Sequence, residues 1–358
     1  MIVCGAGVVG ASVAYFLARR GVAVTVVERS GVACAASGKS GGFLALDWCD
    51  GSPLGPLARA SFALHAELAK ELGTDYGYRR VDTFMLAARE TGVLAGGHRV
   101  TAPRWLDGSG VVTATLGSTE TTAQVTPARF TGALLDAALA RGAKLRIAVV
   151  DDIARRGGEA SGVVTADGET LEGDAVVLAM GPWTGRLAAR ARLPNVYGLK
   201  GYSVTLAAPD VPAHALFVDY RTTDGRSLEP EIFPRPEGEV YVCGMADPAP
   251  LPESAELVEV NEDSCAVLAR AAGRVSTALG GARIVRRQAC CRPVTDDGLP
   301  LIGRVPGLRG AYVATGHGPW GILNAPATGL ALAELVADGA PSLVDLRAFD
   351  PARLRAAR

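Results

Sequence analysis

The chain has 358 residues, which is more than one hydrophobic core of ordinary size holds, so we expect two domains. Hydrophobic residues make up 49% and charged residues 20%, a composition that excludes disordered, collagenous and coiled-coil proteins. The 36 basic and 37 acidic side chains nearly cancel, so we expect no basic surface for nucleic acid or anionic lipid.

The cysteines and histidines are few and scattered. Seven cysteines without a CxxC motif indicate a reducing compartment and predict a cytoplasmic protein. The four histidines show no ligand spacing, so we expect no metal site. Residues 1–18 carry no charge, but glycines interrupt them and arginines follow rather than precede them. That pattern predicts neither a signal peptide nor a membrane span.

The first thirty residues have the pattern of a strand, a tight turn, a helix and a second strand. Residues 2–4 are apolar, residues 11–19 are good helix formers, and residues 22–27 are rich in valine. The second strand ends at Glu28. Between the first strand and the helix lies a GxGxxG motif formed by Gly5, Gly7 and Gly10.

This βαβ pattern predicts a dinucleotide site. The first glycine permits the turn, the second lets the backbone approach a pyrophosphate, and the third lets the helix pack on the strand. The helix N-terminus offers free N–H groups to the phosphates, and Glu28 can accept the ribose hydroxyls. An acid there disfavours a 2′-phosphate and hence NADP, but it does not distinguish NAD from FAD.

Later glycine-rich segments favour FAD. Small residues occupy 32–42, a buried strand runs into glycine at 175–183, and an Asp-Gly-x-Pro turn at 297–300 precedes a strand and the glycines of 316–321. Together with the βαβ unit these motifs resemble the D-amino-acid oxidase family of FAD-dependent oxidoreductases, in its glycine and sarcosine oxidase branch. Residues 230–244 and 324–329 are more similar still to a little-characterised eukaryotic cytosolic subfamily.

The resemblance implies an α/β fold in which a Rossmann-like FAD-binding domain is joined to an antiparallel substrate domain. We expect the first to comprise residues 1–48, 116–198 and 288–358, and the second to comprise residues 49–115 and 199–287. Local patterns add helices at 54–72, 128–140 and 322–336, with Thr126 as an N-cap. We expect His65, within the first of these, to be an ordinary helix residue.

The motifs also predict which residues contact FAD. They are Gly5, Gly7, Val9, Gly10, Glu28, Arg29, Ser37, Ser40, Gly41, Gly42, Val150, Gly181, Trp183, Cys290, Gly316, Gly318, Gly321 and Ile322. Sarcosine oxidases carry a thioether to the flavin at the position that Cys290 matches. We expect FAD to be held without a covalent bond, with the thioether as the alternative.

The family implies oxidation of the C–N bond of an amino acid or small amine, with O2 or another electron acceptor. Arg292 matches a carboxylate-binding position, and bidentate guanidinium suits that role. Arg235 is a second candidate anchor, and His317 is expected against the flavin ring. A structural ion pair for Arg292 and a solvated turn for Arg235 are the alternatives. No lysine lies in residues 240–247, so oxidase and dehydrogenase remain open.

Two other classes of protein are compatible with parts of the sequence. An FAD-bound assembly or trafficking factor with little or no turnover would share every cofactor motif, and only its failure to be reduced by amines would distinguish it. An NAD-dependent dehydrogenase would share the N-terminal βαβ unit but would leave the glycines of 316–321 without a function.

Overall fold

The computed structural model describes residues 1–94 and 96–355. The strands are β1 (Ile2–Cys4), β2 (Thr25–Glu28), β3 (Phe43–Ala45), β4 (Arg79–Arg80), β5 (Asp82–Arg89), β6 (Val111–Gly117), β7 (Thr122–Gln124), β8 (Lys144–Ile147), β9 (Val150–Arg156), β10 (Glu159–Thr165), β11 (Thr170–Glu172), β12 (Val176–Leu178), β13 (Val196–Ala207), β14 (His214–Arg221), β15 (Ser227–Leu228), β16 (Glu231–Pro234), β17 (Glu239–Pro248), β18 (Ile284–Thr295), β19 (Leu301–Arg304) and β20 (Ala311–Thr315). The α-helices are α1 (Val8–Arg19), α2 (Gly55–Glu71), α3 (Pro127–Leu139), α4 (Ala188–Ala191), α5 (Glu262–Val275), α6 (Thr277–Gly280) and α7 (Gly321–Ala337). Short 3₁₀ helices cover Gly181–Leu187, Ala255–Leu257, Gly318–Trp320, Arg347–Phe349 and Pro351–Arg353.

A six-stranded sheet in the order β19-β20-β12-β1-β2-β8 forms one half of the fold. Its strands run parallel except β19, which is antiparallel to β20. Alternate residues of the central strands face opposite sides, so Val3 and Val26 pack among the residues of α1, α2, α3 and α7. Ile2 and Cys4 face a second core that includes residues of the β9-β10-β11 sheet. This is the doubly covered parallel sheet that the βαβ pattern predicts.

An eight-stranded sheet forms the other half, in the order β18-β13-β17-β16-β14-β5-β6 with β15 beside β14. Its pairs are antiparallel except β14 with β5, which run parallel, so the sheet is mixed rather than wholly antiparallel. Helix α5 packs on one face through a shared apolar core. The domain boundaries expected at 115/116, 198/199 and 287/288 fall inside strands β6, β13 and β18.

The predicted helices at 54–72, 128–140 and 322–336 correspond to α2, α3 and α7, which confirms them. Thr126 is the N-cap residue of α3, as expected, with Pro127 at the first helical position, but its side chain does not cap the helix, because the hydroxyl donates to Glu237 Oε1 at 2.7 Å. By length and composition the segment Gly318–Ala337 could cross a membrane. However, 67% of its most apolar stretch is buried inside the protein, which makes α7 the core helix of this fold.

Candidate active site

A cavity of about 480 Å³ lies where the carboxyl ends of β1, β2, β12 and β20 meet one face of the eight-stranded sheet. Ligand sites of open parallel sheets are found at this edge of the strands. Most of the sequence-predicted FAD residues line the cavity, namely Gly5, Gly7, Val9, Glu28, Arg29, Ser37, Ser40, Gly41, Val150, Gly181, Trp183, Cys290, Gly318, Gly321 and Ile322. Residues separated by three hundred positions in the sequence therefore share one site.

The glycine turn after β1 is shaped by close backbone contacts. Gly5 has φ +105°, which a residue with a side chain rarely adopts, and its amide donates to Val27 O at 2.8 Å. Gly10 does not line the cavity, because it packs against the backbone of Gly5 where any Cβ would overlap the carbonyl oxygen. Gly7 faces the cavity, and a Cβ there would lie 3.1 Å from Ser37 Oγ.

The N-terminus of α1 opens into the same cavity. Val8 N donates to Ser37 Oγ at 2.9 Å, so the small-residue loop is fastened to the first turn of the helix. Glu28 follows at the tip of β2, where its two carboxylate oxygens accept from Ala6 N at 2.7 Å and Ser30 N at 2.9 Å. This carboxylate therefore orders the glycine turn and also reaches the cavity wall.

The C-terminal glycines bring helix α7 to the cavity. Gly318, Gly321 and Ile322 line it, whereas Gly316, with φ +80°, lies behind the wall against Thr295 and Pro300. Gly42, with φ +83°, likewise packs against Val125 and Pro127 outside the cavity.

Helix α7 contains Pro326, which has no N–H for the carbonyl of Ile322. His65 from α2 replaces the missing donor, since its Nε2 lies 3.0 Å from Ile322 O and 3.2 Å from Leu323 O. Both neighbours are acceptors, so Nε2 carries the proton. Ser61 Oγ accepts from Ala327 N at 3.1 Å. His65 therefore lies within a helix, as expected, and its side chain also supports the end of α7 that faces the cavity.

His317 is buried at the cavity wall, and its Nε2 lies 3.0 Å from Thr328 Oγ1. Burial lowers the pKa of this imidazole to about 4, so the ring is neutral near pH 7. A neutral ring can pack against an aromatic ligand without adding a charge. His65, also buried, has its pKa lowered to about 4 for the same reason.

Arg292 lies on the cavity-facing side of β18. Gly201 on the adjacent strand makes room for it, because a Cβ there would lie 3.3 Å from Arg292 Nη2. The guanidinium forms no salt bridge within residues 1–94 and 96–355. Cys290 lies two residues earlier on the same face and also lines the cavity. Burial raises the pKa of its thiol to about 11, with Arg292 opposing the shift.

Arg235 does not line the cavity. Its Nη2 donates to Ser40 O at 2.8 Å, and its guanidinium lies 4.9 Å from the centre of the Tyr241 ring. It is half-buried rather than fully solvated, and its removal from water lowers its pKa. Its contacts are those of a residue that holds the Ser40 loop.

Sequence reasoning missed several residues at the deep end of the cavity. Glu231, Tyr241 and Cys243 line it from β16 and β17, and Lys39 lines it from the small-residue loop. Tyr241 Oη donates to Lys39 O at 2.8 Å, and Lys39 Nζ donates to Ala289 O at 3.2 Å. The alternation of β16 and β17 could have predicted that Glu231 and Cys243 share a face, once the strands had been paired.

These features suit an FAD molecule. The N-terminus of α1 can receive a pyrophosphate, the open position at Gly7 leaves space that a Cβ would fill, and Glu28 can accept ribose hydroxyls. Among the described residues, no cluster of three His, Cys, Asp or Glu side chains is arranged to hold a metal ion.

Comparison with known proteins defines the class. Residues 1–335 match the family model described as FAD dependent oxidoreductase. The chain is 31% identical to glycine oxidase of Geobacillus kaustophilus, covering 93% of this chain and 92% of that one. It is 32% identical to the Schizosaccharomyces pombe protein C1F5.03c, whose name assigns it only to the oxidoreductases, over 98% of this chain and 97% of the other.

Solved structures agree with the sequence comparison. The crystal structure of glycine oxidase from Geobacillus kaustophilus superposes with a TM-score of 0.80 at 28% identity, over 99% of this chain and 98% of that chain. The chain belongs to the D-amino-acid oxidase family of FAD-dependent oxidoreductases, and FAD is its cofactor. The predicted family, fold class and cofactor are therefore confirmed.

Proposed function

We propose that the protein oxidises the C–N bond of a small amino acid. The observation that carries this proposal is Arg292, a guanidinium without a salt-bridge partner in the described chain that faces the cavity over Gly201. A planar guanidinium donates two parallel hydrogen bonds to a carboxylate, which makes it suited to anchoring an amino acid. The opening that Gly201 leaves for it supports a binding role.

Each part of the cavity has a role in this proposal. Arg292 binds the substrate carboxylate, and the sequence-predicted FAD residues that line the cavity hold FAD. When bound, FAD supplies the hydride acceptor, its N5 atom. The free N–H groups at the start of α7 face the cavity and favour negative charge there. His317 and Tyr241 form walls that exclude water. The half built on the six-stranded sheet acts as the cofactor domain, and the half built on the eight-stranded sheet acts as the substrate domain.

The similar proteins support an amino acid as the substrate class. One is named glycine oxidase, and another, 33% identical over 60% of this chain, is named D-amino acid dehydrogenase of Xanthobacter autotrophicus. Because this chain is similar both to an oxidase and to a dehydrogenase, its electron acceptor is either O2 or another electron carrier. The seven cysteines are unpaired in the structure, which supports a reducing, cytoplasmic location.

The test is the absorption spectrum of the purified yellow protein, mixed without oxygen with a panel of amino acids and amines. Loss of the oxidised-flavin absorbance with at least one amino acid, and no loss with amines that lack a carboxylate, is the expected result. Subsequent addition of air distinguishes an oxidase, which regains the absorbance quickly, from a dehydrogenase. Flavin that stays oxidised with the whole panel would instead indicate an assembly or trafficking factor.

A further inference from the structure

Glu231 places a carboxyl group in the same cavity as Arg292. It begins β16 and pairs with Cys243 on β17, which in turn pairs with Ser203 on β13. Directly opposite residues of paired strands point to the same face of a sheet. Gly201, two residues before Ser203 on β13, faces the same way and pairs with Cys290 on β18. Arg292, two residues beyond Cys290, therefore belongs to that face as well. The sheet therefore presents the carboxyl group of Glu231 and the guanidinium of Arg292 to the same cavity.

The carboxyl group of Glu231 has little compensation from the protein. Its hydrogen-bond partner is the Cys243 thiol, a weak donor whose Sγ lies 3.5 Å from Oε2. It forms no salt bridge among the residues that the structure describes. Burial raises the pKa of Glu231, and the Arg292 charge opposes that rise from a distance beyond ion pairing. A carboxylate removed from water in this way is stabilised by a cation or by hydrogen-bond donors.

Lys39, another basic residue that lines this cavity, forms no ion pair with Glu231 in the described chain. Lys39 donates to the carbonyl of Ala289, and Tyr241 donates to the carbonyl of Lys39. Glu229, two residues before Glu231, is exposed and adds negative charge. A ligand that carries one negative and one positive group would satisfy Arg292 and Glu231 together, and an α-amino acid zwitterion is the smallest such ligand.

We propose that Glu231 binds the ammonium group of the substrate while Arg292 binds its carboxylate. This proposal rests on the proposed function and narrows its substrate class. The site should select zwitterionic amino acids against carboxylates without an amine and against amines without a carboxylate. Glu231 is then a specificity-determining residue at the substrate rather than a residue of the cofactor site.

Glu231→Gln tests the charge with little change in shape. The ligands are two pairs that differ by the amine alone, glycine with acetate and alanine with propionate. Dissociation constants for the acids come from the perturbation of flavin absorbance. Those for the amino acids come from the same signal or, where flavin is reduced, from the concentration dependence of anaerobic reduction. Glu229→Gln, which removes an equal charge from an exposed position nearby, is the matched control.

The expected result has opposite signs for the two ligand types. Glu231→Gln should weaken amino acid binding at least tenfold, because the ammonium loses its counter-charge. The same variant should strengthen acetate and propionate binding, because a repelling negative charge has been removed. Glu229→Gln should leave all four dissociation constants within twofold of the wild type. Glu231→Asp, which keeps the charge, should retain part of the amino acid affinity.

Equal weakening of acids and amino acids, or no change in either, would overturn the role of Glu231. An equal effect from Glu229→Gln would do the same, since it would reduce the effect to general surface charge. A different result would contradict the proposed function. If Arg292→Ala binds acetate and propionate as well as the wild type does, the carboxylate anchor is misassigned, whatever Glu231→Gln does to the amino acids.

Discussion

Arg292→Ala removes the only side chain to which we assign the substrate carboxylate. The guanidinium lies in the cavity close to the Gly201 backbone and has no acidic partner in the described chain, so its removal leaves the carboxylate without its charged partner. Truncating one member of a buried charged pair costs about 2 to 5 kcal/mol. At about 1.4 kcal/mol per factor of ten, kcat/KM should fall by about 30-fold to several thousand-fold. Arg292→Lys should restore part of the loss, because ammonium keeps the charge without the planar fork.

Steady-state or anaerobic single-turnover kinetics with the best amino acid of the panel measure this loss, together with flavin content per chain. Arg287→Ala is the matched control, because it removes an arginine of the same strand that points outward to Glu262 at 2.8 Å. Flavin content should stay at the wild-type level in both variants. The reasoning is refuted if Arg292→Ala loses flavin or unfolds while its turnover per bound flavin stays normal, since Arg292 would then be a structural residue.

Four further predictions concern the cofactor and the buried histidines. Gly7→Val should abolish flavin binding, measured as absorbance per chain, because its side chain would occupy the cavity next to Ser37. Acid precipitation should release the flavin from the wild type and from Cys290→Ser alike, leaving white pellets, because we expect no thioether. His65→Leu should lower the free energy of unfolding by about 1 to 3 kcal/mol, measured with denaturant, because two carbonyls of α7 lose their donor. Stability of the wild type should fall as pH drops from 6.5 towards 4, by up to about 1.4 kcal/mol per pH unit for each buried histidine. In that window the unfolded chain takes up protons that folded His65 and His317, with pKa values of about 4, do not.

Each of these predictions has a control variant or an outcome that would contradict it. Gly132→Val places the same side chain on α3 where a Cβ meets nothing within 4 Å, and it should keep its flavin. A yellow Gly7→Val protein would contradict the placement of the pyrophosphate. A pellet that stays yellow in the wild type and turns white in Cys290→Ser would establish the thioether. The pH slope should be smaller in His65→Leu than in the wild type, and an unchanged slope would exclude His65 as its source.

The βαβ unit could be predicted because its constraints are local. A glycine with φ +105°, a helix that packs on the turn and an acid at the strand tip are all encoded within thirty residues. The deep end of the cavity could not be predicted in the same way. Glu231 and Cys243 meet only through the pairing of β16 with β17, and the register irregularity between Tyr202 and Ser203 decides how that pair lies against β13. Registers of this kind depend on contacts that no single segment contains.

The contacts of Arg235 likewise could not be predicted from its local sequence. It follows β16 on the strand face that carries Glu231, so its sequence position was compatible with a substrate anchor. Tyr241 lines the cavity, and the Arg235 guanidinium lies over its ring, on which the Phe233 ring also stacks with centres 6.4 Å apart. The guanidinium turns to Ser40 instead. Side-chain reach and the neighbouring rings decided its contacts, and neither is visible in the motif.

The order of strands in the parallel sheet has a consequence for biosynthesis. Ile2 pairs with Val176, and Val176 pairs with Ala311, so on this side β1 is joined to strands that lie much later in the chain. Such non-local pairing is slow, because a long loop must close before the contacts form. Until residues 176–178 and 311–315 have been made, β1 has no neighbour on this side and the central sheet stays open. FAD, which binds the closed form, stabilises it by mass action, so the yield of folded protein should depend on the supply of free FAD in the cell.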